Sequence, residues 1–257
     1  MKKNKLKILL SIFFISIMII SLGTLIFELS KKPEENILYS DAPEEIVVPE
    51  EEKEEVEIDD REYVKMSPDV DLASKRKQHN NNDIVGRLEI PDLFNILVVR
   101  GKDNYFYLNN SINKKEDVRG SEFMDYRVTS TSKQINIYGH NTRDPNIKVP
   151  FLKLESFLKK DFFDSHPYII FQHDNGKSVY KILSIKEITT DYEHMELTKT
   201  GTNFVKHVDK LKSDAIYTRE VPYDETSEII VLQTCSHHLE NAFYIITAVK
   251  IEYKTEQ

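Results

Sequence analysis

A single cysteine and a distant histidine stand at the ends of two strand-like segments. Cys235 ends the apolar run EIIVLQTC at 228–235, His140 ends QINIYGH at 134–140, and polar residues follow each of them. Reactive side chains commonly lie at such junctions, where a rigid strand fixes them and a loop admits substrate. A lone thiol with a remote histidine is a candidate nucleophile and general base. Because the chain has eight histidines, this pairing alone does not define a function.

The surroundings of this pair argue against several other kinds of site. One cysteine cannot form an intramolecular disulfide, so Cys235 is either an inert core residue or a reactive thiol. His237 and His238 follow it, but one Cys with two adjacent His residues lacks the spacing of zinc ligands, which favours a loop over a metal site. We therefore predict no metal and no cofactor. A net charge of -8 argues against a nucleic-acid partner.

Residues 1–30 have the pattern of a cytoplasmic tip and a membrane anchor. Four lysines, at positions 2, 3, 5 and 7, precede an apolar run at 8–27. At about 1.5 Å per residue, this run crosses a hydrocarbon core of about 30 Å. A cleaved signal peptide is the alternative, but its apolar stretch is usually shorter and ends at a small-residue site that the sequence after Phe27 lacks. The lysines predict a cytoplasmic N-terminus, a single pass through the cell membrane and an extracellular remainder.

Residues 31–65 are predicted to form an acidic extracellular spacer. Glutamate, aspartate and proline are frequent in this segment, which includes the run EEEKEE at 50–55. Such a sequence buries too little apolar surface to offset its ordering entropy, and its like charges extend it. The folded domain is then 66–257, held away from the membrane surface.

Strand-like segments dominate the range 66–257. Besides the two segments above, the predicted strands are IVGRLEI at 84–90, NILVVR at 95–100, HPYIIFQH and KSVYKILSIKEI around a hairpin turn at 174–176, and FYIITAVKIEY at 243–253. The predicted helices are 67–79, with Ser67 and Pro68 in the cap and first-turn positions, 150–163 and 202–213. Many short strands with few helices favour a mostly β fold, a closed or nearly closed barrel with peripheral helices. The pattern alone does not separate a barrel from a sandwich.

Several segments, in the same order along the chain, resemble the sortase family. IYGH at 137–140 is similar to the Y-G-H segment that carries the family's histidine, and LQTC at 232–235 matches its L-x-T-C signature. VVRGKDNYFYLNN at 98–110 and GSEFMDYR at 120–127 look like the class B branch, as does the long helical insertion before 228–235. The resemblance covers essentially all of the predicted domain and implies a mixed eight-stranded β-barrel.

The resemblance implies a cysteine transpeptidase of a Gram-positive cell surface. Such an enzyme cleaves a C-terminal sorting motif of a secreted protein and joins it to an amine of a peptidoglycan precursor or stem peptide. Cys235 would form the thioester, with His140 as its proton partner and, when protonated, lowering the pKa of the thiol. Thr234 and Asn109 resemble positions of the substrate cleft, and a turn residue is the alternative role of Asn109. Class B members often read N-P-x-T-x motifs, and some read S/P-P-x-T-G.

The chain departs from the family at one position. Sortases carry an arginine on the strand after the cysteine, where it stabilises the oxyanion, but no arginine follows Arg219 here. The corresponding residue is Phe243 or Tyr244, depending on a one-residue gap. We predict that Tyr244 is the substitute donor, with Arg219 and Arg143 as alternatives and simple packing as the other role of Tyr244. A thiol hydrolase and a non-catalytic surface receptor on the same fold are the competing functions.

Overall fold

The computed structural model describes residues 61–190 and 192–255. The predicted membrane helix at 8–27 lies outside this range, as does the predicted spacer up to residue 60. Among the helices of residues 61–190 and 192–255, none combines the length and the hydrophobicity of a membrane span. Residues 62–64 pair in parallel with Tyr253–Thr255, so a strand precedes the predicted start of the folded domain at residue 66.

Eight strands close into a mixed β-barrel, as the resemblance implied. In the order in which they neighbour one another, they are β10 (Ala242–Ile251), β9 (Ile229–Ser236), β5 (Gln134–Tyr138), β4 (Phe123–Met124), β3 (Phe94–Val99), β2 (Ile84–Ile90), β6 (Tyr168–His173) and β7 (Gly176–Ile188). Strand β7 also pairs with β10, which closes the ring. The pairs β3–β4 and β5–β9 are parallel, and the other pairs in the ring are antiparallel.

The remaining elements lie around this ring. A short β8 (Tyr217–Thr218) pairs with β7, and β1 (Glu62–Val64) pairs with β11 (Tyr253–Thr255). The α-helices are α1 (Leu72–His79), α2 (Lys160–Ser165) and α3 (Gly201–Lys212), and short 3-10 helices cover Phe106–Leu108, Pro150–Leu158 and Glu193–Met195. The last of these and α3 form the insertion between β7 and β8.

Strand β9 is apolar on both faces because both faces are covered. Ile230 and Leu232 belong to the cluster that fills the barrel. Ile229 and Val231 belong to a second cluster, in which α3 covers the outer wall. Successive residues of a strand point to opposite faces, so this arrangement requires the unbroken run IIVL that precedes the cysteine.

Most of the predicted strands are confirmed, and the main differences concern helix boundaries. The first helix begins at Leu72 rather than after Ser67, because the Asp71 side chain caps it by accepting from the Ser74 backbone N–H at 3.0 Å. Ser67 instead donates from its hydroxyl to Glu89 at 2.7 Å. The segment predicted as one helix at 150–163 is a 3-10 helix followed by α2.

Candidate active site

The parallel strands β5 and β9 bring the predicted nucleophile and histidine together. Tyr138 is paired with Gln233, and the Gly139 N–H donates to the Gln233 carbonyl at 3.1 Å. This register, continued to the ends of both segments, places His140 beside Cys235. Strand pairing therefore supplies the proximity that the sequence alone leaves open.

Short polar links hold these two strand ends together. Thr234 Oγ1 donates to the Gly139 carbonyl at 2.9 Å, and Asn141 Nδ2 donates to the Cys235 carbonyl at 2.8 Å. A Cβ on Gly139 would lie 2.5 Å from the ring of Phe151, far closer than carbon atoms approach. These contacts explain why a threonine precedes the cysteine and a glycine precedes the histidine.

Cys235 and His140 both line a cavity of about 350 Å³. Cys235 is half-buried and forms no disulfide. The rest of the wall comes from several parts of the chain: Asn104, Tyr105, Leu108, Phe123, Tyr138, Gly139, Met195, Gln233, Thr234 and Phe243. A largely apolar wall with a few convergent polar groups is typical of a ligand-binding cleft.

A backbone carbonyl orients the ring of His140. Its Nε2 lies 2.6 Å from the Leu108 carbonyl oxygen. Because a carbonyl only accepts, Nε2 carries the proton, and Nδ1 is the ring atom left to exchange a proton with another group. The sequence did not predict Leu108, since any residue type supplies a backbone carbonyl.

The structure brings one of the two predicted substrate-binding residues into the cavity. Thr234 lines it, whereas Asn109 is exposed and lies outside the lining. The backbone of Asn109 holds a turn, with its N–H donating to the Phe106 carbonyl at 3.3 Å. Asn104, Tyr105 and Leu108 are the residues of this segment that line the cavity, and the sequence predicted none of them.

Tyr244 does not share the face of the thiol. The antiparallel register pairs Cys235 with Phe243 and Thr234 with Tyr244. Directly paired residues share a face and neighbours along a strand alternate, so Phe243 faces the cavity and Tyr244 the opposite side. Tyr244 is only 5% exposed, and burial raises the pKa of its phenol. The geometry favours packing over oxyanion stabilisation for Tyr244.

Neither alternative arginine supplies a cation to the cavity. Arg219 donates to the carbonyls of Ile182, at 2.8 Å, and of Phe163, and its guanidinium carbon lies 4.5 Å from the centre of the Phe163 ring. Arg143 donates to the His237 carbonyl and so links the loops that follow β5 and β9. Among the described residues, no arginine or lysine lines the cavity.

The histidines after the cysteine lie in a loop, as predicted. His238 Nδ1 is 3.2 Å from the Glu187 carboxylate, which also accepts from the Ser236 hydroxyl. Within residues 61–190 and 192–255, no group of three or more His, Cys, Asp and Glu side chains is placed to hold a metal ion.

Both sequence and fold are similar to those of known sortases. Sortase B of Listeria monocytogenes is 34% identical over 164 residues, which cover 62% of this chain and 65% of that protein, slightly less than two thirds. Its solved structure is 30% identical with a TM-score of 0.60, covering 70% of this chain and 99% of that one. This chain belongs to the class B sortases.

Further comparisons also find class B sortases similar to this chain. Sortase B of Staphylococcus aureus is 28% identical over 195 residues, covering 70% of this chain and 79% of that protein. A structure described as a Staphylococcus aureus sortase B–substrate complex is 26% identical with a TM-score of 0.63, covering 71% of this chain and 85% of that one. No profile of a protein family matches the chain.

In this class B sortase, the segment GSEFMDYR holds two residues of the cavity wall in place. Asp125 is fully buried and accepts hydrogen bonds from Tyr138 Oη at 2.8 Å and from Asn104 Nδ2 at 3.0 Å, and both donors line the cavity. Arg127 donates to it from three nitrogens: Nε at 2.9 Å, Nη2 at 2.7 Å and the backbone N–H at 2.9 Å. Burial alone would raise the pKa of Asp125, but these hydrogen bonds outweigh it and lower the pKa to about 2.

Asp125→Asn is expected to destabilise this sortase at neutral pH. The pKa is about 2 in the folded protein against about 3.9 when unfolded. This carboxylate therefore adds roughly 2 kcal/mol above about pH 5, a contribution lost as the pH falls toward 2. Urea unfolding at pH 7 should show a loss of about that size, and the gap between variant and parent should narrow near pH 3. A gap that is constant with pH would contradict this account.

Burial is the main influence on the pKa of the cysteine thiol in this sortase. Burial raises the pKa of Cys235 and outweighs the backbone hydrogen bond that lowers it. That a protonated His140 lowers this pKa stays a prediction. At neutral pH the thiol is the main form, and the thiolate must be generated during reaction.

The alkylation rate of Cys235 is expected to keep rising with pH beyond the ordinary range of a cysteine. Thiolate is the reactive form, and burial raises the pKa of Cys235, so the midpoint should lie above that of an ordinary cysteine. Because the chain has one cysteine, iodoacetamide labelling followed by mass spectrometry between pH 6 and pH 10 reports on this site alone. A rate that reaches its plateau below pH 7 would show that a partner lowers the pKa.

Proposed function

We propose that this chain is a cysteine transpeptidase that cleaves a C-terminal sorting motif of secreted proteins and transfers them to an amine of the cell-wall peptidoglycan. The observation that carries the proposal is the shared cavity of Cys235 and His140, which end two paired parallel strands. An amide is a poor electrophile, and a thiolate is a strong nucleophile that can form a covalent intermediate.

The first half of the reaction forms a thioester. Cys235 Sγ attacks the scissile carbonyl carbon of the sorting motif, and its proton passes to His140. The tetrahedral intermediate collapses when the C–N bond breaks, and His140 returns the proton to the departing amine. With Nε2 bound to the Leu108 carbonyl, Nδ1 is the atom that carries this proton.

The second half transfers the acyl group. An amine of the peptidoglycan precursor or stem peptide attacks the thioester carbon, and its proton passes to His140. The C–S bond then breaks, and His140 returns the proton to Cys235 Sγ. Among the described residues, no Arg or Lys lines the cavity to stabilise the oxyanion of either half-reaction. Loss of one such donor typically lowers a rate by about 10²–10³-fold, so we expect a slow enzyme.

Two solved relatives support a peptide as the substrate. One solved structure is described as a Staphylococcus aureus sortase B–substrate complex, and another as sortase B complexed with triglycine. They are 26% identical to this chain. By extension, we propose that a protein with a sorting motif is the acyl donor for this chain.

We also propose that the apolar run at 8–27 anchors the chain in the cell membrane, with the catalytic domain outside. Tethering would raise the local concentration of a thiol, a secreted substrate and a lipid-linked amine that all lie at one membrane surface. Protease treatment of intact cells tests this topology: the domain should be digested while a tag at the N-terminus is protected.

The test of the activity is an acyl-transfer assay with the full-length chain in mild detergent. Peptides carrying N-P-x-T-x or S-P-x-T-G are incubated with and without triglycine or diaminopimelate, and products are identified by mass spectrometry. We expect the N-terminal fragment to be joined to the amine, and slower hydrolysis without it. Cleavage to the acid alone, even with amine present, would favour a hydrolase, and no cleavage of any peptide would favour a non-catalytic receptor.

A further inference from the structure

The outer face of β5 carries buried polar side chains. Gln134 is 2% exposed and Asn136 is fully buried, although their neighbours Ile135 and Ile137 point into the barrel core. An outward polar residue normally meets water. Here the insertion between β7 and β8 covers this face, so the two amides require partners within the protein.

One backbone carbonyl satisfies both amides. The carbonyl of His194 accepts from Gln134 Nε2 at 2.8 Å and from Asn136 Nδ2 at 2.8 Å. Gln134 Oε1 in turn lies 2.7 Å from Nε2 of the buried His207 in α3. The insertion is therefore held by directional hydrogen bonds to the strand that leads to His140.

The ring of His194 makes a corresponding link to the strand of the cysteine. Its Nε2 lies 2.7 Å from Gln233 Oε1, and because an amide oxygen only accepts, the imidazole donates. His194 is 1% exposed. The next residue, Met195, lines the cavity, and its sulfur lies 3.3 Å from Tyr138 Oη. Through its carbonyl and its ring, His194 thus fixes this part of the cavity wall relative to both β5 and β9.

The bond to His194 decides which way the Gln233 amide points. With Oε1 engaged, the Nε2 group is the free end, and it donates to no residue in the described part of the chain. Gln233 lines the cavity and, two positions before Cys235, shares its face of β9. The cavity therefore contains a fixed N–H donor beside the thiol.

We propose that His194 is a positioning residue for substrate recognition, an inference that rests on the proposed function. It holds Gln233 so that the amide N–H group donates to an oxygen atom of the sorting-motif peptide. A rigid donor selects for an acceptor at one place, because a peptide lacking it leaves a buried polar group unpaired. Gln233 is then a specificity-determining residue, and His194 acts through it.

The test measures peptide binding rather than turnover. Dissociation constants for fluorescent N-P-x-T-x and S-P-x-T-G peptides are measured by anisotropy, with the full-length chain carrying Cys235→Ala as parent. His194→Phe and Gln233→Met should each weaken binding about tenfold, and the double variant also about tenfold, because both changes remove the same oriented donor. His194→Gln keeps an N–H donor and should bind within about twofold of the parent. His166→Phe, the same exchange outside the cavity, is the matched control.

The outcomes separate this inference from the proposed function. Unchanged binding by Gln233→Met overturns it, and this half-buried position can be tested even if His194→Phe fails to fold. A double variant about a hundredfold weaker also overturns it, because the two residues would then act independently. If the parent binds none of the peptides and the Cys235 protein cleaves none, the proposed function fails first and the inference falls with it.

Discussion

Cys235→Ala is expected to abolish both cleavage of a sorting-motif peptide and its transfer to an amine, with a rate loss on the order of 10³-fold or more. The chain has one cysteine, so no other thiol can form the thioester. The substitution removes a single sulfur atom from a half-buried site that lines an open cavity, and the fold should tolerate it. Initial rates of amine transfer by the full-length chain measure the effect.

The controls separate loss of chemistry from loss of structure. His140→Ala should give a comparable loss, because the proton partner and the thiol act as one unit. His238→Ala is the matched control: this histidine follows the same strand but contacts Glu187 outside the cavity lining. All three variants should keep the melting temperature of the parent within a few degrees. A Cys235→Ala protein that retains transfer within about tenfold would show that the reaction does not pass through this thiol.

Much of the barrel could be predicted because its strands obey simple alternation. In QINIY the isoleucines face the core, and in IIVL both faces are covered, so each pattern has one consistent solution. The turn at 174–176 predicted the β6–β7 hairpin, and the apolar spacing in 202–213 predicted α3. The pairing of β5 with β9 needed the structure, since parallel neighbours leave no local signal in the sequence.

The least predictable part of the site is the face presented by β10. A shift of one residue in a strand exchanges its two faces, and the choice between Phe243 and Tyr244 depends on the loop that leads into β10. Asn241, just before the strand, takes a left-handed conformation with φ +56°, which sets where pairing starts. The burial of the polar outer face of β5 was equally unpredictable, because no pattern in the sequence indicates that an insertion covers this face.

Phe243→Arg is expected to raise the rate of acyl transfer by about 10²-fold. Phe243 is paired directly with Cys235 and lines the cavity, and it occupies one of the two positions that correspond to the arginine of other sortases. A guanidinium there can donate to the oxyanion of both tetrahedral intermediates, a contribution typically of about 10²–10³ in rate. The gain should appear in the maximal rate rather than in peptide affinity, because the charge develops only in the transition state.

Tyr244→Arg is the matched control for this gain. It adds the same side chain one position along, but strand alternation directs it to the opposite face, near Glu187 and Glu155 rather than the thiol. We expect no increase in rate. An increase in Tyr244→Arg with none in Phe243→Arg would show that the two faces of β10 are exchanged in solution. Equal rates in both variants and the parent would mean that another donor already stabilises the oxyanion. The aromatic residue opposite the cysteine would then not limit the rate of transfer.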